Sequence, residues 1–356
     1  MKVHNFSAGP SILPQPVFQQ ASQGILDLNG SGLSILEISH RSKAFIEIHE
    51  KAKSLAKELL SVPDGHQILF LAGGASSQFF MSALNCLPQN GKAAYLDTGS
   101  WSSKAIKEAK RYGQVEVIAS SKESGYRHIP KDYIVPNDAV YVHFTSNNTI
   151  AGTQYKSFPE CSNPLVCDMS SDILSRPVDV SRFGIIYAGA QKNMGPAGVT
   201  LVIVREDMLG KVDRDIPSML DYQVHIKGDS MFNTPPVFPI YVSLLTMQWL
   251  KENGGVLAVA KRNEEKASIL YEEIDRNGMF IPVVEKSDRS LMNVTFLLKD
   301  ASHEAAFLNL CKEAGCDGVK GHRSVGGFRA SIYNAMPLEG VQALVEVMQK
   351  FEEQKG

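Results

Sequence analysis

Residues 183–204 read FGIIYAGAQKNMGPAGVTLVIV. Two apolar runs, FGIIYA and VTLVIV, enclose a loop that consists mostly of small residues. Runs that are apolar throughout, without polar alternation, are typical of strands buried on both faces of a parallel sheet. The stretch therefore predicts an α/β domain. It also raises a question about Lys192, because Gln191 and Asn193 are its only polar neighbours in the loop.

Comparable patterns lie upstream of this stretch. Strand, turn and helix follow one another in QILFLAGGASSQFF and again in AAYLDTGSWSSKAIKEAKRYG, where Gly113 is expected to end the helix. Ser42 is suited to cap a helix whose apolar residues recur at spacings of three and four. Further strand candidates are VEVIA, AVYVHF and PLVCD. We therefore predict a large α/β domain over residues 16–250, with a mostly parallel sheet flanked by helices.

The pattern changes after residue 250. A long charged helix over 256–276 precedes a strand LMNVTFLL, a helix over 302–314 and a strand FRASI. An amphipathic helix ends the chain. This order predicts a smaller α+β domain over residues 251–356, joined by the N-terminal segment 1–15.

The composition excludes several classes of protein. The 356 residues carry a formal net charge of −2, which predicts no bulk attraction to nucleic acid or to an anionic membrane. The five cysteines are scattered without a CxxC pair, which is typical of reduced cytoplasmic thiols and not of a disulfide framework or metal site. No apolar run approaches the ~20 residues of a membrane span, and no signal-peptide pattern occurs. We expect a cytoplasmic protein that acts on small molecules.

Lys192 and Asp168 together suggest a specific chemistry. Alone, Lys192 would be an ordinary loop lysine, and Asp168, which closes the strand candidate PLVCD, would be a helix cap or turn residue. Ligands of open α/β sheets lie beyond the carboxyl ends of the strands, where both residues fall. A lysine shielded from water is a usable amine nucleophile. Pyridoxal phosphate needs such a lysine for its aldehyde and a carboxylate for its ring nitrogen, so the pair suggests this cofactor.

Two further features fit that cofactor. The double glycine in LAGGASSQFF precedes Ser76, Ser77 and a helix start, whose free N–H groups favour a phosphate. Most such turns bind nothing, so the signal is weak by itself. Trp101 follows another strand and could stack on a flat ring, although packing in the core explains a single tryptophan equally well.

With these pieces in place, the chain resembles the phosphoserine aminotransferases, a family of class V aminotransferases, over nearly its full length. The stretches that carry the resemblance are NFSAGP (5–10), EISHRSKAF (37–45), LAGGASSQF (71–79), SNNTIAGT (146–153), CDMSSDILSRPVDVSRFGIIYAGAQKNMGPAG (167–198), MFNTPP (231–236) and KGHRSVGGFRASIYNAMPLEGV (320–341). The resemblance implies the fold-type-I architecture of pyridoxal-phosphate enzymes and a homodimer with shared active sites.

The resemblance also assigns roles to individual residues. It implies that Lys192 forms the internal aldimine and moves the proton, and that Asp168 pairs with the pyridine nitrogen. It implies further cofactor contacts from Ala75, Ser76, Trp101, Thr149 and Gln191. It also implies that Asn233 and Thr234 reach the cofactor's phosphate from the second subunit. Many members have Arg-Gly where this chain has Ser76-Ser77, and serine in place of Ala8, so side-chain contacts at those positions are in doubt.

Substrate recognition must come from local cations, because the protein as a whole is nearly neutral. The candidates are His40, Arg41, His322, Arg323 and Arg329. Arginine grips carboxylate and phosphate by two parallel hydrogen bonds, although surface ion pairing would explain any single arginine. The resemblance implies that Arg329 holds the α-carboxylate and that Arg41, His322 and Arg323 bind the phosphate or distal carboxylate.

The activity implied is a ping-pong transamination between L-glutamate and 3-phosphohydroxypyruvate, giving 2-oxoglutarate and O-phospho-L-serine, in serine biosynthesis. A related phosphorylated substrate of vitamin B6 synthesis, 4-phosphohydroxythreonine, stays open. Alternatives are another class V member, such as a serine–glyoxylate aminotransferase, or a catalytically silent binding protein on the same fold. A cysteine desulfurase is disfavoured because Cys311 and Cys316 lie in and at the end of a predicted helix.

Overall fold

The computed structural model describes residues 2–356, and its largest unit is a seven-stranded sheet. The strands are β1 His4–Asn5, β2 His66–Leu71, β3 Lys92–Asp97, β4 Gln114–Ser120, β5 Ala139–Thr145, β6 Asn147–Asn148, β7 Thr153–Gln154, β8 Leu165–Asp168, β9 Phe183–Gly189, β10 Thr200–Arg205, β11 Phe280–Pro282, β12 Asn293–Leu298, β13 Cys316–Asp317 and β14 Phe328–Ser331. The α-helices are α1 Gln15–Leu26, α2 Lys43–Leu60, α3 Gly74–Cys86, α4 Ser100–Ala109, α5 Tyr222–Lys227, α6 Val237–Glu252, α7 Gly255–Arg276, α8 Glu304–Glu313 and α9 Leu338–Lys355.

The sheet runs in the order β2-β10-β9-β8-β5-β3-β4. Only β10 is reversed, since it pairs antiparallel with both β2 and β9 while the remaining pairs are parallel. The carboxyl ends of the other six strands therefore open at one edge of the sheet. This arrangement confirms the prediction of a mostly parallel sheet flanked by helices.

Helices cover both faces of the sheet. All seven residues of β9 are buried, as the unbroken apolar run in the sequence indicates. One core includes α2 and α6, and a second includes α3 and α4 on the opposite face. The Ser42 side chain accepts a hydrogen bond from the Phe45 N–H, which confirms the predicted cap of α2.

The expected role of Gly113 is wrong. The helix α4 ends at Ala109, and Lys110 is its cap. A Cβ at Gly113 would lie 2.7 Å from Leu87 Cγ. The glycine therefore allows close packing after the helix and does not terminate it.

The C-terminal part contains an antiparallel sheet in the order β11-β12-β14, packed with α7, α8 and α9 around a third core. Phe6 belongs to this core, and β1 pairs in parallel with β13. The first turns of α7 contribute Val256 and Val259 to the core of α2 and α6, while Leu270 lies in the C-terminal core. The division at residue 250 stays a prediction.

No helix within residues 2–356 combines the length and the apolar character required to cross a bilayer.

Candidate active site

The site lies where the parallel strands end. Asp168 is the last residue of β8, and Lys192 follows the end of the neighbouring β9 by three positions. Thr149 follows the short strand β6, which lies beyond the end of β5. Because β5, β8 and β9 are parallel neighbours, their ends bring these three side chains to one edge of the sheet.

Lys192 is held by its surroundings. Its Nζ donates to Thr149 Oγ1 at 2.7 Å and lies 5.6 Å from the centre of the Trp101 ring. Burial lowers the pKa of Lys192 to about 8, with Asp168 opposing this shift and Arg329 adding to it. A substantial fraction of the amine is therefore neutral near physiological pH, as a nucleophile requires.

Asp168 is a buried carboxylate, with 5% of its surface exposed. Its Oδ1 accepts a hydrogen bond from the Ser170 N–H at 2.9 Å. Burial raises the pKa of Asp168, and the charge of Lys192 and the Ser170 hydrogen bond act in the opposite direction. A cationic ligand atom beside Asp168 would stabilise its charged form.

The double glycine predicts an anion site at the start of α3, and the backbone there is compatible with one. Gly73 precedes the helix with φ +98°, a left-handed conformation that glycine adopts without strain. Ala75 and Ser76 lie in the first turn, where Ala75 is partly exposed and Ser76 is exposed. Ser77 Oγ donates back to the Gly73 carbonyl. The helix packs on β9 and on Trp101 through Phe79, so its N-terminus faces the same edge of the sheet.

These residues fit pyridoxal phosphate. Lys192 offers the amine, Asp168 a carboxylate and α3 the free N–H groups of its first turn. Trp101 lies at the start of α4, and its buried Nε1 has no partner among the described residues. The backbone oxygen of Gln191 accepts from the Ser11 N–H at 3.0 Å, and the predicted contact of its side chain with the cofactor stays a prediction.

Arg329, on β14, contacts Thr149 and is close enough to Lys192 for its charge to act on the amine. Its Nη1 donates to the Thr149 carbonyl at 3.4 Å, and its Nε is buried without a partner in the described chain. His322 and Arg323 lie on the turn before β14, and Arg323 is exposed. Burial lowers the pKa of His322, and the charges of Arg329, Arg323 and Lys104 lower it further. The positive charges of Arg329, Arg323 and Lys104 therefore lie close enough to His322 to act on it.

The remaining predicted residues lie on exposed loops. Among the hydrogen bonds and ion pairs of residues 2–356, none joins them to Lys192. The Arg41 N–H donates to Ser39 Oγ, within its own loop, and His40 is partly exposed. Asn233 and Thr234 are exposed, with Asn233 Nδ2 donating to the Thr234 carbonyl. Their predicted contributions to a second subunit's site stay predictions.

Comparison with known proteins identifies the family. Residues 3–344 match the family described as Aminotransferase class-V. The chain belongs to the class-V aminotransferases. The resemblance predicted from the sequence motifs is thereby confirmed.

Individual class-V aminotransferases are similar over the whole length. The phosphoserine aminotransferase of Flavobacterium psychrophilum is 62% identical over 353 residues, covering 99% of both chains. That of Flavobacterium johnsoniae is 60% identical with the same coverage. A solved phosphoserine aminotransferase, studied for radiation damage to its Schiff base, has a TM-score of 0.97 at 51% identity and covers 99% of both chains. The pyridoxal-phosphate-bound enzyme from Trichomonas vaginalis has a TM-score of 0.94 at 39% identity, covering 98% of this chain and 100% of its own.

Two features of this class-V aminotransferase site escaped the sequence analysis. Ser11 Oγ donates to the Lys192 carbonyl, and a Cβ at Gly9 would lie 3.1 Å from Lys192 Cγ. Only the family motif NFSAGP pointed to this segment. Lys104 Nζ lies 4.2 Å from the centre of the Trp101 ring. Its position one turn after Trp101 was the available signal, since residues three apart share a helix face.

Proposed function

We propose that this class-V aminotransferase binds pyridoxal phosphate and transfers the amino group of L-glutamate to 3-phosphohydroxypyruvate, forming 2-oxoglutarate and O-phospho-L-serine. One observation carries the proposal: the buried Lys192 amine, bonded to Thr149, is close enough to Asp168 and Arg329 for both charges to act on its pKa, and Arg329 contacts the same Thr149. The names of relatives at 62% and 60% identity support the choice of substrate.

The cofactor, when bound, supplies an electron sink for the substrate carbon that loses its proton. Lys192 would hold the aldehyde carbon, and Asp168 would keep the ring nitrogen protonated. The ring would stack on Trp101, and the first turn of α3, at Ala75 and Ser76, would hold the phosphate. Thr149 and Gln191 would complete these contacts from the neighbouring loops.

In the reaction, Lys192 has two tasks. Its amine would hold the cofactor in the resting enzyme, and the same amine, once free, would carry the proton away from the substrate Cα. A pKa of about 8 suits this task, since a general base works best when its pKa is near the working pH. Thr149, which accepts a hydrogen bond from Nζ at 2.7 Å, orients the amine for the transfer.

The cations determine which substrates fit. Arg329 would bind the α-carboxylate, since its guanidinium lies against the Thr149 carbonyl and its buried Nε has no hydrogen-bond acceptor among the described residues. His322, Arg323 and Lys104 would bind the phosphate of one substrate and the distal carboxylate of the other. A phosphorylated hydroxythreonine of vitamin B6 synthesis has the same two anionic ends, so the same cations would accept it.

We also propose a homodimer in which each site is completed by the other subunit's His40, Arg41, Asn233 and Thr234. The exposure of Arg41, Asn233 and Thr234, and their lack of contact with Lys192 in the described chain, support this arrangement. The five free cysteines support a cytoplasmic location, where thiols stay reduced.

The test compares 3-phosphohydroxypyruvate with hydroxypyruvate as amino acceptors from glutamate. Charge-assisted hydrogen bonds to the phosphate predict a kcat/KM ratio of about 100 or more, because each such bond contributes about 1.5–3 kcal/mol. Equal rates with the two acceptors would contradict the proposed substrate.

Two controls separate the alternatives. A serine–glyoxylate aminotransferase would convert serine and glyoxylate faster than the phosphorylated pair. A silent binding protein would show no change in cofactor absorbance when glutamate alone is added to the loaded protein.

A further inference from the structure

Asn193 directly follows Lys192, and it is the only residue of the loop 193–198 with a hydrogen-bonding side chain. It is buried, with 7% of its surface exposed. Its Nδ2 donates to the Ile173 carbonyl at 2.6 Å, and its Oδ1 accepts from the Asn334 N–H at 2.9 Å. The side chain therefore connects the Lys192 loop to two segments that are distant in sequence.

The partner segment after β14 is itself held on several sides. Asn334 Nδ2 donates to the Leu174 carbonyl at 2.9 Å, and its Oδ1 accepts from Asn263 Nδ2 at 2.8 Å. The buried ammonium of Lys266, on α7, donates to the carbonyls of Ile332, Tyr333 and Met336. These contacts fix the position of the Asn334 N–H group, from which Asn193 Oδ1 accepts its hydrogen bond.

The same segment continues directly from the strand that carries Arg329. Arg329 reaches Lys192 through Thr149, whose carbonyl accepts from Nη1 and whose hydroxyl accepts from Lys192 Nζ. Asn193 provides a second connection through Asn334. The amine and the candidate carboxylate-binding arginine are thus joined both at the side-chain tip and at the backbone of Lys192.

We propose that Asn193 is a positioning residue, which fixes the backbone of Lys192 relative to the strand of Arg329 and so aims the amine. This inference rests on the proposed function. The remaining side chains at 194–198 cannot take over its task, since methionine, glycine, proline and alanine donate and accept no side-chain hydrogen bonds comparable to an amide's. Proton transfer tolerates little displacement, because a misplacement of about 1 Å costs on the order of 100-fold in rate.

The experiment uses Asn193→Ala in the loaded enzyme, with Asn85→Ala as a matched control. Asn85 is also buried, and it also donates to two carbonyls, of Met81 and Leu220, and accepts from the Tyr222 N–H. It lies at the far end of α3, away from Lys192. Asn193→Ala removes a buried amide with two hydrogen bonds, and Asn85→Ala removes one with three. A general loss of stability should therefore affect both variants.

The expected result for Asn193→Ala is a fall in kcat of about 10-fold to 100-fold with KM for glutamate changed about twofold or less. The pH at which the bound cofactor changes its visible absorbance should also move, because that titration reports the surroundings of Lys192. Asn85→Ala should keep the wild-type kcat and the wild-type absorbance titration.

Wild-type values of kcat and of the absorbance titration in Asn193→Ala would overturn the proposal, as would equal changes in both variants. If Asn193→Ala fails to fold, Asn334→Ala is the second test. It removes the side-chain hydrogen bonds to Leu174 and Asn263 that hold the segment whose N–H group binds Asn193. The same change in kcat and titration would then support the proposal, and no change would overturn it. The absorbance titration needs no substrate, so it tests the positioning role even if the proposed amino acceptor is wrong.

Discussion

Asp168 and Lys192 lie at the ends of buried strands, and each has hydrogen-bond partners within its own chain. Arg323 and Arg41, by contrast, are exposed on loops, and neither is joined to Lys192 by a contact in residues 2–356. The half that would hold the cofactor is therefore preorganised by the sheet. The half that would hold the substrate includes exposed cations, whose contacts a ligand or a second subunit would complete. The difference predicts that substitutions in the cofactor half lower kcat by large factors. Substitutions in the substrate half should instead raise KM, by smaller factors.

Lys192→Ala should have the largest effect. Removing the amine eliminates both the bond to the cofactor and the proton carrier, so turnover should fall by about 1000-fold or more. Borohydride reduction followed by mass spectrometry should find no cofactor attached to the variant. Lys156→Ala is the control, because burial also lowers the pKa of Lys156 to about 8. A reduced adduct on Lys192→Ala with near-normal turnover would exclude Lys192 as the cofactor lysine.

Asp168→Asn should come next. The amide cannot stabilise a protonated ring nitrogen, so kcat should fall by about 100-fold to 1000-fold with a smaller change in KM. Steady-state kinetics with both substrates measures the effect. Asp172→Asn is the matched control, because burial raises the pKa of Asp172 as well, yet Asp172 accepts hydrogen bonds from Ser146 and Gln154 instead. Equal losses of kcat in the two variants would contradict a role specific to Asp168.

Arg329→Lys tests the boundary between the two halves. Lysine keeps the charge but lacks the planar fork, so KM for glutamate and for the keto acid should each rise by about 10-fold. A larger effect on kcat than on KM would place Arg329 with the cofactor half instead.

The pH dependence of cofactor capture should also distinguish the halves. The apoprotein captures pyridoxal phosphate through neutral Lys192, so the rate should rise with pH around the pKa of about 8. Asp168 raises this pKa and Arg329 lowers it. Asp168→Asn should therefore move the midpoint to lower pH, and Arg329→Met to higher pH. Stopped-flow absorbance measures the midpoint, and shifts in the opposite directions would contradict the charge arrangement.

Lys104→Gln should have the smallest effect. Its ammonium is exposed and screened by solvent, so KM for the phosphorylated acceptor should rise by only about 2-fold to 5-fold. The difference from wild type should shrink at high salt, since exposed charges are screened within about 10 Å at moderate ionic strength. An unchanged KM at low salt would remove Lys104 from the substrate half.

Much of the fold could be predicted from the sequence, because strands and helices leave their patterns in short stretches of residues. The unbroken apolar runs of β5, β8 and β9 predicted strands buried on both faces, and the structure buries them so. Gly113 shows the limit of local rules, since its small size serves packing against Leu87 and not a helix end. The candidate lysine and aspartate could also be predicted, because Asp168 closes one predicted strand and Lys192 lies in the loop after another, at the edge where ligands of such sheets bind.

The tertiary structure alone decided what holds Lys192 in place. Ser11 and Asn334, which contact the residues at 192 and 193, are separated from them by 181 and 141 positions. Lys104 lies over Trp101, and Arg329 lies against Thr149. Periodicity reports which face of an element is buried, but it carries no information about which distant segment covers that face. The sequence by itself determined the strands, the amine and its carboxylate, whereas packing between distant segments determined how the amine is aimed.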